Sequence, residues 1–203
     1  MAKITDILVF GVGAAGSNTF LHLLYSYPDI NFSVIDFDIV EDRNVDPGTQ
    51  PYIKTDLRRP KVQAVQRIAV MSKKKTITAI NKKITSTQDI TSLVKDPSSA
   101  LIIDAFDNAA SRNIFVELNP KKYNILHIGF SASLTGEVVW GEGYEKMEAS
   151  KKDADIDVCE MTLARPFIFA LTSMAAIVIN KFIDKNEKIN LYLDCHFNIK
   201  SWK

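Results

Sequence analysis

An α/β fold, with a mostly parallel sheet covered on both faces, is predicted for this chain of 203 residues by three observations. Short apolar runs alternate with stretches of helical spacing. The runs are apolar at consecutive positions, as strands buried on both faces require. A glycine-rich turn joins the first run to the first helical stretch. Composition agrees: 46% hydrophobic and 24% charged residues give one domain, residues 1–203, a core large enough to fold without disulfides or metal.

Taken in order, Ile4 to Phe10 is an apolar strand that ends at glycine, and Ala14 to Tyr27 is a helix carrying Phe20, Leu21, Leu23 and Leu24. Pro28 and Asp29 break that helix. A second strand, Asn31 to Phe37, places Phe32, Val34 and Ile35 before a run of carboxylates. Strand, helix and strand make a βαβ unit. Pro60 to Met71 reads as a helix, Thr76 to Ile84 as an alternating strand, and Thr87 to Lys95 as a short helix with an acidic start. Ala100 to Ala105 is a strand, Ala109 to Leu118 a helix, and Ile125 to Gly129 and Gly136 to Trp140 are strands. Glu145 to Asp157 is a charged segment expected to be mobile. A last helix spans Leu163 to Asp184, and Leu191 to Asp194 is the closing strand. No repeat and no Pro/Gly/Ser-rich linker divides the chain.

Several function classes are excluded early. A formal net charge of +1 provides no global field for a polyanion, so nucleic-acid binding is not expected. The Lys73, Lys74, Lys75 run and the Lys82, Lys83 pair read as solvated faces. Only Cys159 and Cys195 are present, with no CxxC, so neither a disulfide framework nor a structural zinc site is expected. The N-terminus lacks the basic-then-apolar order of a signal peptide, so a cytoplasmic location is expected. The apolar stretch Pro166 to Asn180 is uncharged for 15 residues, short of the roughly 20 that span a bilayer. It reads as a buried helix, apolar around most of its circumference through Phe167, Phe169, Leu171, Met174, Ile177, Val178 and Phe182.

The first strand runs into Gly11-Val12-Gly13-Ala14-Ala15-Gly16, a G-x-G-x-x-G between strand and helix. Glycines there let the backbone turn tightly and approach a phosphate, while the following helix offers free N–H groups and a positive end. Asp36 stands 20 residues beyond Gly16, at the end of the second strand, where a carboxylate can accept hydrogen bonds from ribose hydroxyls. The fold class is therefore Rossmann-like and doubly wound. At this point a nicotinamide-dependent oxidoreductase and a nucleotide-activating enzyme fit equally well.

Further motifs separate them. Val34-Ile35-Asp36-Phe37-Asp38-Ile39-Val40-Glu41-Asp42-Arg43-Asn44 is followed by Arg59-Pro60-Lys61 and by Ile103-Asp104-Ala105-Phe106-Asp107-Asn108. The series resembles the ThiF/MoeB family, adenylyltransferases related to ubiquitin-activating enzymes. That family has the glycine loop, D-x-D-x-V-x-x-x-N after the second strand, a lysine preceded by a small or proline residue, and D-x-x-D-N after the fourth. The likeness covers roughly residues 4 to 140.

The resemblance implies an ATP- and Mg²⁺-dependent enzyme that converts a carboxylate to an acyl-adenylate. Gly11, Gly13 and Gly16 would hold the nucleotide phosphates, and Asp36 and Asp38 would bind at the ribose side. Asn44 and Lys61 would face the phosphates, Asp107 would hold Mg²⁺, and Asn108 would lie beside it. Lys61 and Asp107 are the expected catalytic residues, with Cys159 as a candidate acceptor of the activated carboxyl. The implied partner is a peptide, or a ubiquitin-like or sulfur-carrier protein, with a C-terminal carboxylate. Members are commonly homodimers, so a second subunit is expected on the outer side of the apolar helix, with a second sheet layer as the alternative cover.

The chain departs from the family in two places. Where members place an arginine after the asparagine, in N-x-x-R-Q, it reads Asn44-Val45-Asp46-Pro47-Gly48-Thr49-Gln50. Loss of such a cation lowers turnover on the order of 10³-fold in other phosphoryl-transfer sites. Arg43, Lys54, Arg58, Arg59 or a second subunit are candidate replacements, and a non-catalytic nucleotide-binding partner subunit is the alternative function. The paired CxxC motifs that hold zinc in many members are also missing. As for Cys159, Asp155, Asp157 and Glu160 around it disfavour a thiolate, so a structural cysteine stands beside the acceptor role. Cys195 is expected to be buried or inert. His22 and His127 read as packing residues, and His196 has no visible partner.

Overall fold

In the computed structural model, which describes residues 3–146 and 161–203, the alternation closes into one eight-stranded sheet. Strands β1 (Asp6–Phe10), β2 (Asn31–Asp36), β3 (Thr78–Asn81), β4 (Ala100–Asp104) and β5 (Asn124–Phe130) run parallel. Strands β6 (Gly136–Trp140), β7 (Asn190–Leu193) and β8 (Ile199–Trp202) continue the sheet antiparallel. The order β3-β2-β1-β4-β5-β6-β7-β8 puts β1 between β2 and β4, with Val9 level with both Val34 and Ile103. Chain order reverses direction between β1 and β4, and such a switch point opens a crevice at the carboxyl ends of the two strands.

The helices are α1 (Ala14–Ser26), α2 (Asp42–Val45), α3 (Lys61–Lys73), α4 (Thr87–Thr91), α5 (Ala109–Val116) and α6 (Ala164–Lys185). Alternate residues of β1 serve opposite faces. Ile7 and Val9 join Phe20 and Leu23 of α1, Val62 and Val65 of α3, and Phe167 and Leu171 of α6. Leu8 and Phe10 join Ile90 of α4 and Phe115 of α5. Each such side chain contributes about 1.5–3 kcal/mol on burial, so both layers are needed.

The structure departs from the sequence reading in several places. The strand expected over residues 76–84 is confined to Thr78–Asn81, an edge strand paired only with β2. β7 does not close the sheet. The Asp194 carboxylate accepts the amides of His196 and Asn198, and the resulting turn returns the chain as β8, an exposed strand without an apolar run to announce it. Cys195, expected to be buried or inert, is an exposed free thiol. Lys75 is no merely solvated side chain: its ammonium caps the carbonyls of Pro28 and Ile30, closing the turn between α1 and β2. Lys82 pairs with Asp89 at 2.7 Å.

α6 is not covered all round. Its stripe of Phe167, Leu171, Ala175, Val178 and Phe182 packs against the sheet and α1, while Phe169 and Ile177 face outward. With 22 residues it is also long and apolar enough to cross a membrane by length and composition, a length that the 15-residue uncharged stretch understates. Most of the charged segment from Glu145 to Asp157, and Cys159 with it, lies outside the described residues.

Candidate functional site

The glycine loop follows β1 directly into the crevice, and its three glycines are there for different reasons. Gly11 has φ +79°, a conformation open to glycine, and a Cβ there would lie 2.9 Å from the Ala105 carbonyl. At Gly16 a Cβ would sit 1.9 Å from the Gly11 oxygen. Both are demanded by the packing of loop, helix and β4. Gly13 differs. Its backbone is extended, at φ −68° and ψ −154°, without the positive φ of Gly11, and a Cβ there would meet no atom of the described residues within 4 Å. It is also the N-cap of α1, with no side-chain cap and no acidic residue in the first turn. Free N–H groups and the positive end of a 13-residue helix thus open onto an empty face, the arrangement that binds phosphate.

Val12, between the glycines, is held from both sides. Its amide donates to Asp36 Oδ2 at 2.8 Å, and its carbonyl accepts from the hydroxyl of Tyr52. Asp36 also accepts the Asp38 amide on Oδ1 at 2.9 Å, so the carboxylate is fixed at the end of β2 with one lone pair left on each oxygen. Burial raises its pKa, opposed by the two backbone amides and the charge of Lys61. A second tie joins the loop to the following segment. Asn18, buried on α1, donates to the carbonyls of Ala14 and Thr49 at 2.8 and 2.7 Å. Thr49 Oγ1 and Gln50 Oε1 beside it are buried without a hydrogen-bond partner among the described residues.

Lys61 begins α3, and its ammonium pairs with Asp38 at 3.0 Å while its amide donates to the Asp38 carbonyl. The Lys61 side chain is 10% exposed and that of Asp38 47%, so the cation lies at the bottom of the pair. Asn44 is buried in α2, where Oδ1 accepts the Glu41 amide. Asp107 and Asn108 leave the end of β4 exposed. Asn108 caps α5 by accepting the Ser111 amide at 2.9 Å, which leaves Asp107 with only a 3.5 Å contact from Asn108. The structure therefore sets Gly11, Gly13, Gly16, Asp36, Asp38, Lys61, Asp107 and Asn108 at or beside the ends of β1, β2 and β4, whereas the Asn44 side chain is engaged in capping α2. Cys159 lies outside the described residues.

For a magnesium ion, no group of three or more acidic, histidine or cysteine side chains comes together among the described residues. Magnesium is commonly held by one or two carboxylates together with substrate phosphates, and a single exposed carboxylate such as Asp107 fits that mode.

Behind Asp107, the first aspartate of D-x-x-D-N, Asp104, anchors a buried cluster whose other members lie outside the sequence motifs. Asp104, fully buried at the end of β4, accepts the Phe106 amide at 3.2 Å and lies 2.9 Å from His127 Nδ1 and 3.7 Å from Arg112 Nε. His127 stacks on Tyr144 at 3.8 Å, and the Arg112 guanidinium lies 5.2 Å from the same ring. Gly129 makes room for that guanidinium, since a Cβ there would lie 2.0 Å from it. Desolvation raises the Tyr144 pKa to about 12. A signal was present: a charged residue ending a fully apolar strand is buried with it and needs partners. Asp104 and His127 are level in adjacent strands.

The ThiF family profile matches residues 2–198. The fold is similar to that of PaaA, with a TM-score of 0.73 and 20% identity over 98% of this chain and 64% of that one. It is also similar to E. coli MccB, with a TM-score of 0.73 and 16% identity over 99% of this chain and 62% of that one. MccB with ATP gives a TM-score of 0.70 at 16% identity, covering 99% and 64%. MccB has also been solved with MccA. No curated protein matches the chain in sequence. The chain spans 62–64% of the length of these solved proteins.

Proposed function

The chain belongs to the ThiF family, and from that premise we propose that it is an ATP-dependent adenylyltransferase acting on a carboxylate. The observation that carries the proposal is Gly13: no packing contact among the described residues excludes a side chain there, and it opens the uncapped start of α1 toward an anion. MccB has been solved with ATP and with MccA, which supports the same class of chemistry.

In this account the amides of the first turn of α1 bind the phosphate chain, and Asp36 accepts from the ribose hydroxyls on its free lone pairs. Lys61 exchanges Asp38 for phosphate oxygens. Asp107, with Asn108 beside it, would hold Mg²⁺, which neutralises charge on the phosphates when bound. An oxygen of the acceptor carboxylate attacks the α-phosphorus and forms the acyl–phosphate bond. The bond from that phosphorus to the bridging oxygen breaks, and pyrophosphate leaves with the electron pair. No proton has to move, so the site needs aimed donors and cations rather than a general base. The acceptor is the C-terminus of a peptide or of a ubiquitin-like or sulfur-carrier protein, and a homodimer is part of the proposal.

Calorimetric titration with ATP, AMP and NAD tests this reading. Binding of ATP in preference to NAD is expected; absence of adenine-nucleotide binding would overturn it. In pyrophosphate exchange with a competent acceptor, Asp107→Ala should abolish the signal, and unchanged exchange would remove Asp107 from the metal site.

A further inference from the structure

Pro47 stands where the family resemblance expects an arginine, yet the structure brings a cation to the same stretch from far along the chain. Ala164 and Ile168, in the first turns of α6, pack against Ala14, the residue that follows Gly13. Arg165, next to Ala164, extends across to Gly48, one residue beyond Pro47. Its Nε lies 3.7 Å, and its guanidinium carbon 3.8 Å, from where a Cβ on Gly48 would sit. Gly48 has φ +65°, which glycine adopts freely, and the guanidinium lies at ordinary van der Waals distance from that turn. The ring of Phe169, 5.4 Å away, supports the same group.

Arg165 is exposed and makes no ion pair with a carboxylate among the described residues. Elsewhere around the site Lys61 is engaged with Asp38, Arg43 with Glu41, and Arg67 with Asp56 at 2.6 Å, while Lys54, Arg58 and Arg59 are exposed without an ion pair among the described residues and none of them is tied to the start of α1 as Arg165 is through Ala164. An arginine placed by packing and a ring contact, with no anion of its own, beside a glycine loop that presents an anion site, lacks only that anion. We infer that Arg165 binds the phosphate chain of the nucleotide at the glycine loop, taking in space the role of the arginine missing after Asn44. The guanidinium can meet two phosphate oxygens at once, which an ammonium cannot.

The inference rests on the reading of the glycine loop as an ATP site, and the test separates the two. ATP, inorganic pyrophosphate and adenosine are titrated into the wild-type chain and into Arg165→Ala, Arg165→Lys and, as a control at the far end of α6, Lys185→Ala. Arg165→Ala should weaken ATP and pyrophosphate roughly 10- to 100-fold, the loss of one charge-assisted contact. Its adenosine affinity and melting temperature should stay unchanged, Arg165→Lys should recover part of the loss, and Lys185→Ala should match the wild type. ATP affinity unchanged in Arg165→Ala, or adenosine weakened as much as ATP, overturns the role of Arg165 while leaving the ATP site standing. A wild-type chain that binds neither ATP nor pyrophosphate overturns both.

Discussion

The hydroxyl of Tyr52 holds the carbonyl of Val12 while Asp36 holds the amide of the same residue, so the centre of the glycine loop is fixed from two different segments. The peptide that follows is planar and trans, so anchoring the Val12 carbonyl also sets the direction of the Gly13 amide. Tyr52 lies 40 residues from Val12, and nothing local in the sequence marks it.

Tyr52→Phe would leave the buried Val12 carbonyl without its partner. A loss of about 1–3 kcal/mol in urea unfolding is expected, with a weaker ATP affinity because the Gly13 amide is freed to turn. An unchanged midpoint would show that the contact contributes nothing.

Alkaline pH should act through buried phenols. Burial raises the pKa of Tyr27 and Tyr52 and brings Tyr144 to about 12. In each case the folded value lies above the unfolded value of 10, so above that pH the folded chain keeps protons that the unfolded chain releases. Stability is full below this pH and is lost as pH rises. Denaturation series at about pH 9, 10 and 11 should show the decline, with a shallower slope for Tyr52→Phe. A flat profile would contradict the burial of these groups.

Asp104 carries the buried cluster behind Asp107. Asp104→Ala strands His127 and Arg112 without their anion and should destabilise the fold by about 3–5 kcal/mol in chemical denaturation. Replacing both partners, as Asp104→Leu with Arg112→Met, should recover a good part of that loss. If the double variant is as unstable as the sum of its parts, the two do not act as a pair.

Lys61 and Asp38 form a pair that is half open to water. Asp38→Asn should change stability by less than about 1 kcal/mol. Lys61→Ala should weaken ATP roughly tenfold or more, measured by calorimetry. Equal ATP affinity in Lys61→Ala would leave Lys61 as a merely structural partner of Asp38.

Much of this was legible in the sequence because its signal is local. The strands β1, β2, β4, β5 and β6 are dense apolar runs, and the motif residues lie at their ends, so reading the runs located the motifs. β8 was illegible because all four residues are exposed and its place depends on the Asp194 turn. Tyr52, Arg112 and Arg165 were illegible for another reason. Their roles come from contacts with Val12, Asp104 and Gly48, and no periodicity encodes a contact between distant segments. Within the glycine motif the requirements differ: packing demands Gly11 and Gly16, while Gly13 faces open space among the described residues.

That division allows the most direct test. Gly13→Ala adds one methyl group to a face where no atom of the described residues lies within 4 Å, on an extended backbone with negative φ. The account predicts that this variant folds with stability within about 1 kcal/mol of the wild type, the usual scale of a poorer N-cap, while its ATP affinity in calorimetry collapses. Wild-type ATP affinity in a folded Gly13→Ala chain would contradict the claim that the phosphates bind there.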